Sequence, residues 1–137
     1  MRKACVPVLI GLILGAPALA QDYLGFQSPT GNIHCGIYSD EGSSFARCDL
    51  IALTPSYTDP PEDCEFDWGQ SFAVEGKGKG YLACVSDTVI DPGNPVLPYG
   101  EAVSLGGIAC VSAETGMTCT NAKGHGFSVA RSQQRLY

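Results

Sequence analysis

Short runs of alternating apolar and polar residues, separated by Gly and Pro about every ten residues, make up the chain beyond residue 21. The runs are rich in Val, Ile, Tyr, Phe and Thr, the residue types that strands favour. We find no stretch with the 3.6-residue period of an amphipathic helix. Regularly spaced short strands with turn signals between them are typical of sandwiches and barrels. The pattern therefore predicts an all-β fold, a small antiparallel sandwich or barrel built from hairpins.

Two of the predicted hairpins carry a cysteine on each arm. In the first, Cys35 and Cys48 lie on the strands that flank the turn-forming segment 39–44. In the second, a shorter turn separates Cys110 from Cys119. The two hairpins are either an internal repeat or similar local solutions, and their different loop lengths favour the latter. The predicted strands are 32–38, 45–51, 71–75, 80–86, 101–105, 107–110, 117–121 and 126–130, with 130–137 as a polar tail that can cross as a last strand.

The first twenty residues have the pattern of a cleaved secretory signal. Arg2 and Lys3 precede an uncharged run, and small residues at 18 and 20 stand where a signal peptidase reads. The alternative, a membrane anchor, is disfavoured because the run is short and lacks a basic flank. A lipoprotein would need a cysteine in place of Gln21. We expect cleavage after residue 20, export to the periplasm or the medium without membrane insertion, and one disulfide-rich β domain over 21–137.

Six cysteines remain once Cys5 leaves with the signal, an even set in a short exported chain. Thiols pair in the oxidising compartments that such chains reach. A zinc site is the alternative, but its ligands usually come in close C-x-x-C pairs, which this sequence lacks. Neighbour-to-neighbour pairing predicts three structural disulfides, Cys35–Cys48, Cys64–Cys84 and Cys110–Cys119, although other connectivities remain open.

The charge balance argues against two classes of partner. The chain has 8 Lys and Arg against 14 Asp and Glu, a formal net charge of −6 at pH 7, and loss of Arg2 and Lys3 makes it more acidic. Nucleic acids and anionic lipid surfaces both need clustered positive charge. Five carboxylates crowd one stretch, but it lacks the spacing of a calcium-binding EF-hand loop and is predicted to be a solvated loop. They are Asp59, Glu62, Asp63, Glu65 and Asp67.

His125 is the strongest candidate for chemistry, because flanking glycines would expose an imidazole that can act as a general base. The alternative is that the glycines serve a turn. A metal site would require His125 to meet His34, which alternates with core positions and is predicted to lie on the surface. A triad with Ser128 and Asp87 or Asp91 lacks a G-x-S-x-G elbow. The sequence therefore predicts no catalytic set, no metal site and no cofactor.

Several motifs built mostly from Gly, Pro, Cys and aromatic residues span nearly the whole mature chain. They are Ser28-Pro29-Thr30-Gly31-Asn32-Ile33-x-Cys35, Pro61-x-x-Cys64 with Asp67-Trp68-Gly69, Leu97-Pro98-Tyr99-Gly100, and Gly116-x-x-Cys119-x-Asn121 with Gly124-His125-Gly126-Phe127 and Arg131. This spacing resembles that of a family of small secreted bacterial proteins catalogued as a domain of unknown function. The resemblance implies the architecture and supplies no catalytic residue.

Two hypotheses of function follow. The first is an exported, non-enzymatic module that binds a protein, a peptide or an envelope component. Its candidate contacts are Tyr99, in a Pro-rich segment at 91–100 that can only be a loop or a sheet edge, with Trp68 and His125. The second is a small periplasmic hydrolase or metal-dependent enzyme that uses His125. The first is favoured because catalysis needs a base, an orienting partner and a stabilising group together. A purely structural envelope protein is a third option.

Overall fold

The computed structural model describes Gly11, Gly15 and residues 22–137, so the predicted signal at 1–20 otherwise lies outside the described residues. Ten strands follow one another along the chain, and none of residues 22–137 is helical. Within these residues we find no helix with the length and apolar character of a membrane span. The strands are β1 (Asp22–Gln27), β2 (Ile33–Asp40), β3 (Ser43–Leu50), β4 (Ser71–Glu75), β5 (Tyr81–Leu82), β6 (Ala102–Leu105), β7 (Ile108–Ala113), β8 (Gly116–Thr120), β9 (Gly126–Val129) and β10 (Gln134–Leu136).

The strands form two antiparallel five-stranded sheets, each a simple meander in chain order. The first sheet runs from β1 to β5 and the second from β6 to β10. Apolar residues on the inner faces of both sheets form one buried core. The all-β, disulfide-containing sandwich predicted from the sequence is confirmed, whereas β1 was not predicted as a strand and β5 is shorter than expected.

Tight turns fix the register of the hairpins. Glu41 and Gly42 both have positive φ, 45° and 84°, in the two-residue connection between β2 and β3. Such turns match the twist of the strands that they join. The register then sets Cys35 opposite Cys48, and both side chains point into the core.

The two sheets repeat the same arrangement strand by strand. In each sheet, one row of paired residues crosses all five strands. Both rows have the same order of residue types: an apolar residue, two cysteines, a phenylalanine and a leucine. The rows are Phe26, Cys35, Cys48, Phe72, Leu82 and Val103, Cys110, Cys119, Phe127, Leu136. Because the equivalence includes strand order, register and residue type beyond the hairpins, the internal-repeat interpretation accounts for the structure better than similar local solutions do.

Two disulfides meet at the centre of the core. Cys35–Cys48 and Cys110–Cys119 each bridge neighbouring strands of one sheet. All four residues are fully buried, and Cys48 Sγ lies 3.8 Å from Cys119 Sγ, in van der Waals contact. The sulfur atoms therefore fill the space between the sheets that branched side chains fill in larger cores.

The third disulfide, Cys64–Cys84, lies away from the sheets' facing surfaces and joins two irregular segments. It ties the acidic loop to the chain that follows β5. The five carboxylates of that loop are all exposed.

His34 is buried, so its predicted surface position is wrong. The side chain does point away from the core, but it is only 2% exposed because the segment around Asp91 lies over this part of the first sheet. Its Nε2 is 2.9 Å from the Gly31 carbonyl oxygen, to which it donates, while Nδ1 accepts from the Asp91 N–H at 3.3 Å. The alternation of the strand predicted correctly that His34 points away from the core. A loop distant in sequence, however, covers the side chain.

Candidate functional site

A groove of about 650 Å³ opens at one end of the sandwich, where connections from both sheets come together. Its walls come from the β1–β2, β3–β4, β7–β8 and β9–β10 connections and from the loop before β6. The lining residues are Ser28, Thr30, Gly31, Asn32, Ile33, Ile51, Thr54, Tyr99, Ala113, Glu114, Gly116, Ala130, Arg131 and Ser132. Loops presented at the end of a rigid β scaffold are a common arrangement for recognition sites.

Two apolar side chains are exposed in this groove. Tyr99 is 43% exposed and Ile51 is 52% exposed. The backbone that carries them is fixed, since Gly100 N–H donates to the Ser112 carbonyl at 2.7 Å and Ile51 N–H donates to the Asn32 carbonyl at 2.9 Å. Exposed apolar groups on an immobilised backbone lose little entropy when a ligand covers them.

Polar groups complete the lining of the groove. Glu114 and Arg131 bring opposite charges into the same lining, and both are exposed. The Arg131 carbonyl accepts from the Thr54 N–H at 2.7 Å, which joins the β9–β10 connection to the β3–β4 loop. The groove can therefore offer an aromatic surface, an aliphatic surface, one cation and one anion to a bound segment.

Trp68 lies near the end of the β3–β4 connection and does not line the end groove. It lines a second groove of about 390 Å³ with Leu53, Pro55 and Tyr57, while Ile51 and Thr54 of the same segment line the end groove. The indole is half-buried. Trp68 and Tyr99 therefore line separate grooves.

His125 belongs to neither groove. Its backbone N–H donates to Asn121 Oδ1 at 3.2 Å, and its carbonyl accepts from the Asn121 N–H at 2.8 Å. Asn121 is buried and also donates to the carbonyls of Glu75 and Gly78. These contacts give His125 a place in the β8–β9 turn, and the structure does not bring it together with Tyr99 or Trp68.

The residues considered for a triad lie apart. Ser128 is on the outer face of the second sheet, where its hydroxyl contacts Thr118 Oγ1 at 3.0 Å and the Tyr137 hydroxyl at 3.2 Å. Asp87 lies on the outer side of the first sheet, bound to Arg47. Among the described residues no group of three or more His, Cys, Asp or Glu side chains is arranged to hold a metal ion.

A buried ion pair on the outer face of the first sheet was not predicted from the sequence. Arg47 binds Asp49 through two hydrogen bonds of 2.8 Å, and both residues are almost fully buried. Asp49 also accepts from Ser71 Oγ, Thr88 Oγ1 and the Val89 N–H. Burial alone would raise the pKa of Asp49, but these hydrogen bonds and the charge of Arg47 outweigh it and hold that pKa below its ordinary value.

The ion pair fixes the loop that covers His34. Arg47 Nη1 donates to Asp87 Oδ1 at 2.7 Å and Nη2 donates to the Asp87 carbonyl at 2.8 Å. Thr88 and Val89 also donate to Asp49, so Arg47 and Asp49 together hold segment 87–89 against the sheet. We interpret the network as structural, since the polar atoms of Arg47 and Asp49 are bound to one another and to neighbouring segments of the chain.

The groove lining could be found only in part from the sequence. Tyr99 was identified because an aromatic residue in a Pro-rich loop is a common anchor, but Ile51 reads as the last residue of a strand. The local sequence does not indicate that Arg131 and Glu114 belong to the groove either, because their proximity depends on how the two sheets face each other.

Comparison with known proteins gives a family and no described function. No curated protein matches the chain, and no solved structure matches it either. Residues 6–137 match DUF6636, described as a family of unknown function. That match includes every strand, all three disulfides and every residue of the end groove. The chain therefore belongs to the DUF6636 family.

Proposed function

We propose that the protein is an exported, non-enzymatic binding module that takes a peptide or protein segment into the end groove. The observation that carries the proposal is the exposure of Tyr99 and Ile51 on fixed backbone within a groove that also holds Arg131 and Glu114. Aromatic anchors beside complementary charges are the usual centres of binding energy in recognition surfaces.

Export is the compartment part of this proposal. The amino-terminal sequence pattern supports it, and a framework of three disulfides is compatible with an oxidising compartment. Intact-mass analysis of the protein purified from its natural source should give a chain that begins at Gln21. A mass that includes residues 1–20 would contradict export by cleavage.

A peptide selection tests the binding part. We would select a phage-displayed random peptide library on the folded, oxidised protein and measure the dissociation constants of the recovered peptides by calorimetry. Tyr99→Ala should weaken their binding by about tenfold or more, as expected for removal of an aromatic anchor. Because Tyr99 is a loop residue with an exposed side chain, the variant is expected to keep its fold, which near-ultraviolet circular dichroism would check.

Phe66→Ala is the matched control, since Phe66 is 62% exposed and lines neither groove. It should leave affinity within about twofold, as is usual for surface changes away from an interface. Peptides that bind wild type and Tyr99→Ala equally well, or failure of the selection to enrich any peptide, would refute the end groove as a peptide site.

A further inference from the structure

A row of aromatic rings crosses the outer face of the first sheet at the β2–β3 turn, the opposite end from the groove. Tyr23 on β1 pairs in register with Tyr38 on β2, which pairs with Phe45 on β3. Ring centroids are 4.7 Å apart for Tyr23 and Tyr38 and 5.6 Å apart for Tyr38 and Phe45. The ring planes are tilted relative to each other by 42° and 36°. We call these three side chains the aromatic row.

Glycine beneath Tyr23 lets its ring lie close against the sheet. A Cβ added to Gly36 would stand 2.6 Å from Tyr23 Cε2, and one added to Gly25 would stand 2.9 Å from the Tyr23 hydroxyl. No side chain of these two residues separates the ring from the backbone, yet Tyr23 remains 47% exposed. The ring therefore lies over the strands while nearly half of the side chain stays exposed to solvent.

Polar groups surround a recess of about 550 Å³ beside the row. Tyr38 and Phe45 line it together with Asp40, Glu75 and Lys77. None of these three charged groups takes part in the ion pairs found among residues 22–137, which both belong to Arg47. Burial, and then the nearby charge of Glu75, raises the pKa of Tyr81 to about 12, so its hydroxyl stays protonated. That hydroxyl donates to Glu75 Oε1 at 3.3 Å.

We propose that the aromatic row and this recess bind a neutral oligosaccharide. The C–H-bearing face of a pyranose ring is apolar and packs on the open face of an aromatic side chain, while its hydroxyls need acceptors and donors at the rim. Asp40 and Glu75 supply acceptors and Lys77 supplies donors. Two carboxylates in an acidic protein disfavour a uronic acid or any other anionic glycan.

The geometry favours a glycan over a peptide strand at this surface. The row crosses the strands, and the backbone groups of β2 are taken by its neighbours β1 and β3. An extended peptide gains much of its affinity by adding to a free sheet edge, which the centre of this row does not offer. A sugar chain needs only stacking surfaces and polar side chains. The proposal is independent of the end groove, because Asn32 and Ile33 at the other end of β2 line that groove.

Cellohexaose and chitohexaose would be titrated into the oxidised protein labelled with ¹⁵N, with hexagalacturonate as the anionic probe. At least one neutral hexamer should shift the backbone amides of residues 38–45 and 75–77, and hexagalacturonate should shift neither segment. Tyr23→Ala should weaken that binding by about tenfold or more, since it removes an aromatic ring on which the sugar would stack. Tyr23→Phe keeps the ring and should retain most of the affinity.

Phe66→Ala again serves as the exposed aromatic control and should bind the hexamer as wild type does. The amide spectrum of each variant checks its fold, so loss of binding cannot be mistaken for unfolding. Three results would each overturn the proposal: no shift with either neutral hexamer at millimolar concentration, full affinity in Tyr23→Ala, or tighter binding of hexagalacturonate. Shifts confined to the end groove would also overturn it and would bear on the proposed function instead.

Discussion

Asp49 and Asp87 both bind Arg47, yet they differ sharply in burial. Asp49 is 3% exposed, whereas the side chain of Asp87 is 78% exposed. We expect Asp49→Asn to lower the free energy of unfolding by about 3 kcal/mol, because it leaves a buried guanidinium without its main counter-charge. Asp87→Asn should cost less than about 1 kcal/mol, since a solvent-exposed ion pair contributes little. Urea denaturation at pH 7 measures both, and equal losses would contradict this interpretation.

The same carboxylate predicts the direction of the acid dependence. The pKa of Asp49 is lower in the folded protein than its ordinary value of 3.8, so in acid the unfolded chain takes up its proton first. The stabilisation is therefore complete above that ordinary value and is lost as the pH falls through the lower, folded value. Denaturation of wild type between about pH 5 and pH 2 should show this loss. Asp49→Asn should show a shallower dependence over the same range.

Residue-level prediction succeeded where neighbours in sequence decide the outcome. The facing direction of His34 followed from strand alternation, and two of the three cysteine pairs followed from the hairpins. It failed where distant segments decide. The cover over His34, the partners of Arg47 and the approach of Ile51 to Arg131 all depend on loops that come from elsewhere in the chain.

Among the elements, a backbone hydrogen bond from Gly80, just before β5, to Tyr137, just after β10, joins one side of the first sheet to the second. Gly80 N–H and Gly126 N–H both donate to the Tyr137 carbonyl oxygen, at 3.0 and 2.8 Å. A Cβ on Gly80 would overlap the Gly126 carbonyl group. We expect Gly80→Ala to destabilise the protein by about 2 kcal/mol or more, because rigid backbone stands in the way and no flexible side chain can move aside.

Gly93→Ala is the matched control for that substitution. The added Cβ would meet only the carboxylate end of Asp91, at 3.2 Å, on an exposed loop. Its free energy of unfolding should remain within about 0.5 kcal/mol of wild type. Guanidinium denaturation compares the two variants, and a Gly80→Ala protein as stable as Gly93→Ala would show that the two sheets are not held at this contact.

The elements also show which strands sequence patterns can reveal. Turns rich in Gly delimit the hairpins β2–β3 and β7–β8, so those strands were predicted within a few residues. β1 was missed because its alternation is interrupted by Gly25, which makes room for the side chains of Asn94 and Tyr23. The segment 91–100, predicted to be a loop or an edge, is an edge at Val96, which bridges to Gln27.

At the scale of the whole molecule, the three disulfides can stabilise the fold in two ways, by restricting the unfolded chain and by packing in the core. If restriction of the unfolded chain dominated, Cys64–Cys84 would contribute most, since its partners are 20 residues apart, against 13 and 9 for the other two. That entropic advantage is small, about 0.6 kcal/mol for each doubling of loop length. The two core disulfides are fully buried and touch each other, so their removal also leaves a cavity where the sheets meet.

We therefore expect Cys64–Cys84, which closes the longest loop, to contribute the least of the three disulfides to the free energy of unfolding. Replacing Cys110 and Cys119 together by Ala should cost about 2 kcal/mol more than replacing Cys64 and Cys84, because the lost sulfur contacts and the cavity outweigh the difference in loop entropy. Guanidinium denaturation of the paired variants, each with its remaining disulfides verified by mass spectrometry, gives both values. The Cys35 and Cys48 pair should behave like Cys110 and Cys119, since the repeated rows of the two sheets give it the same surroundings. Equal or greater loss on removing Cys64–Cys84 would mean that the stacked sulfur atoms add little and that the bridges act mainly on the unfolded chain.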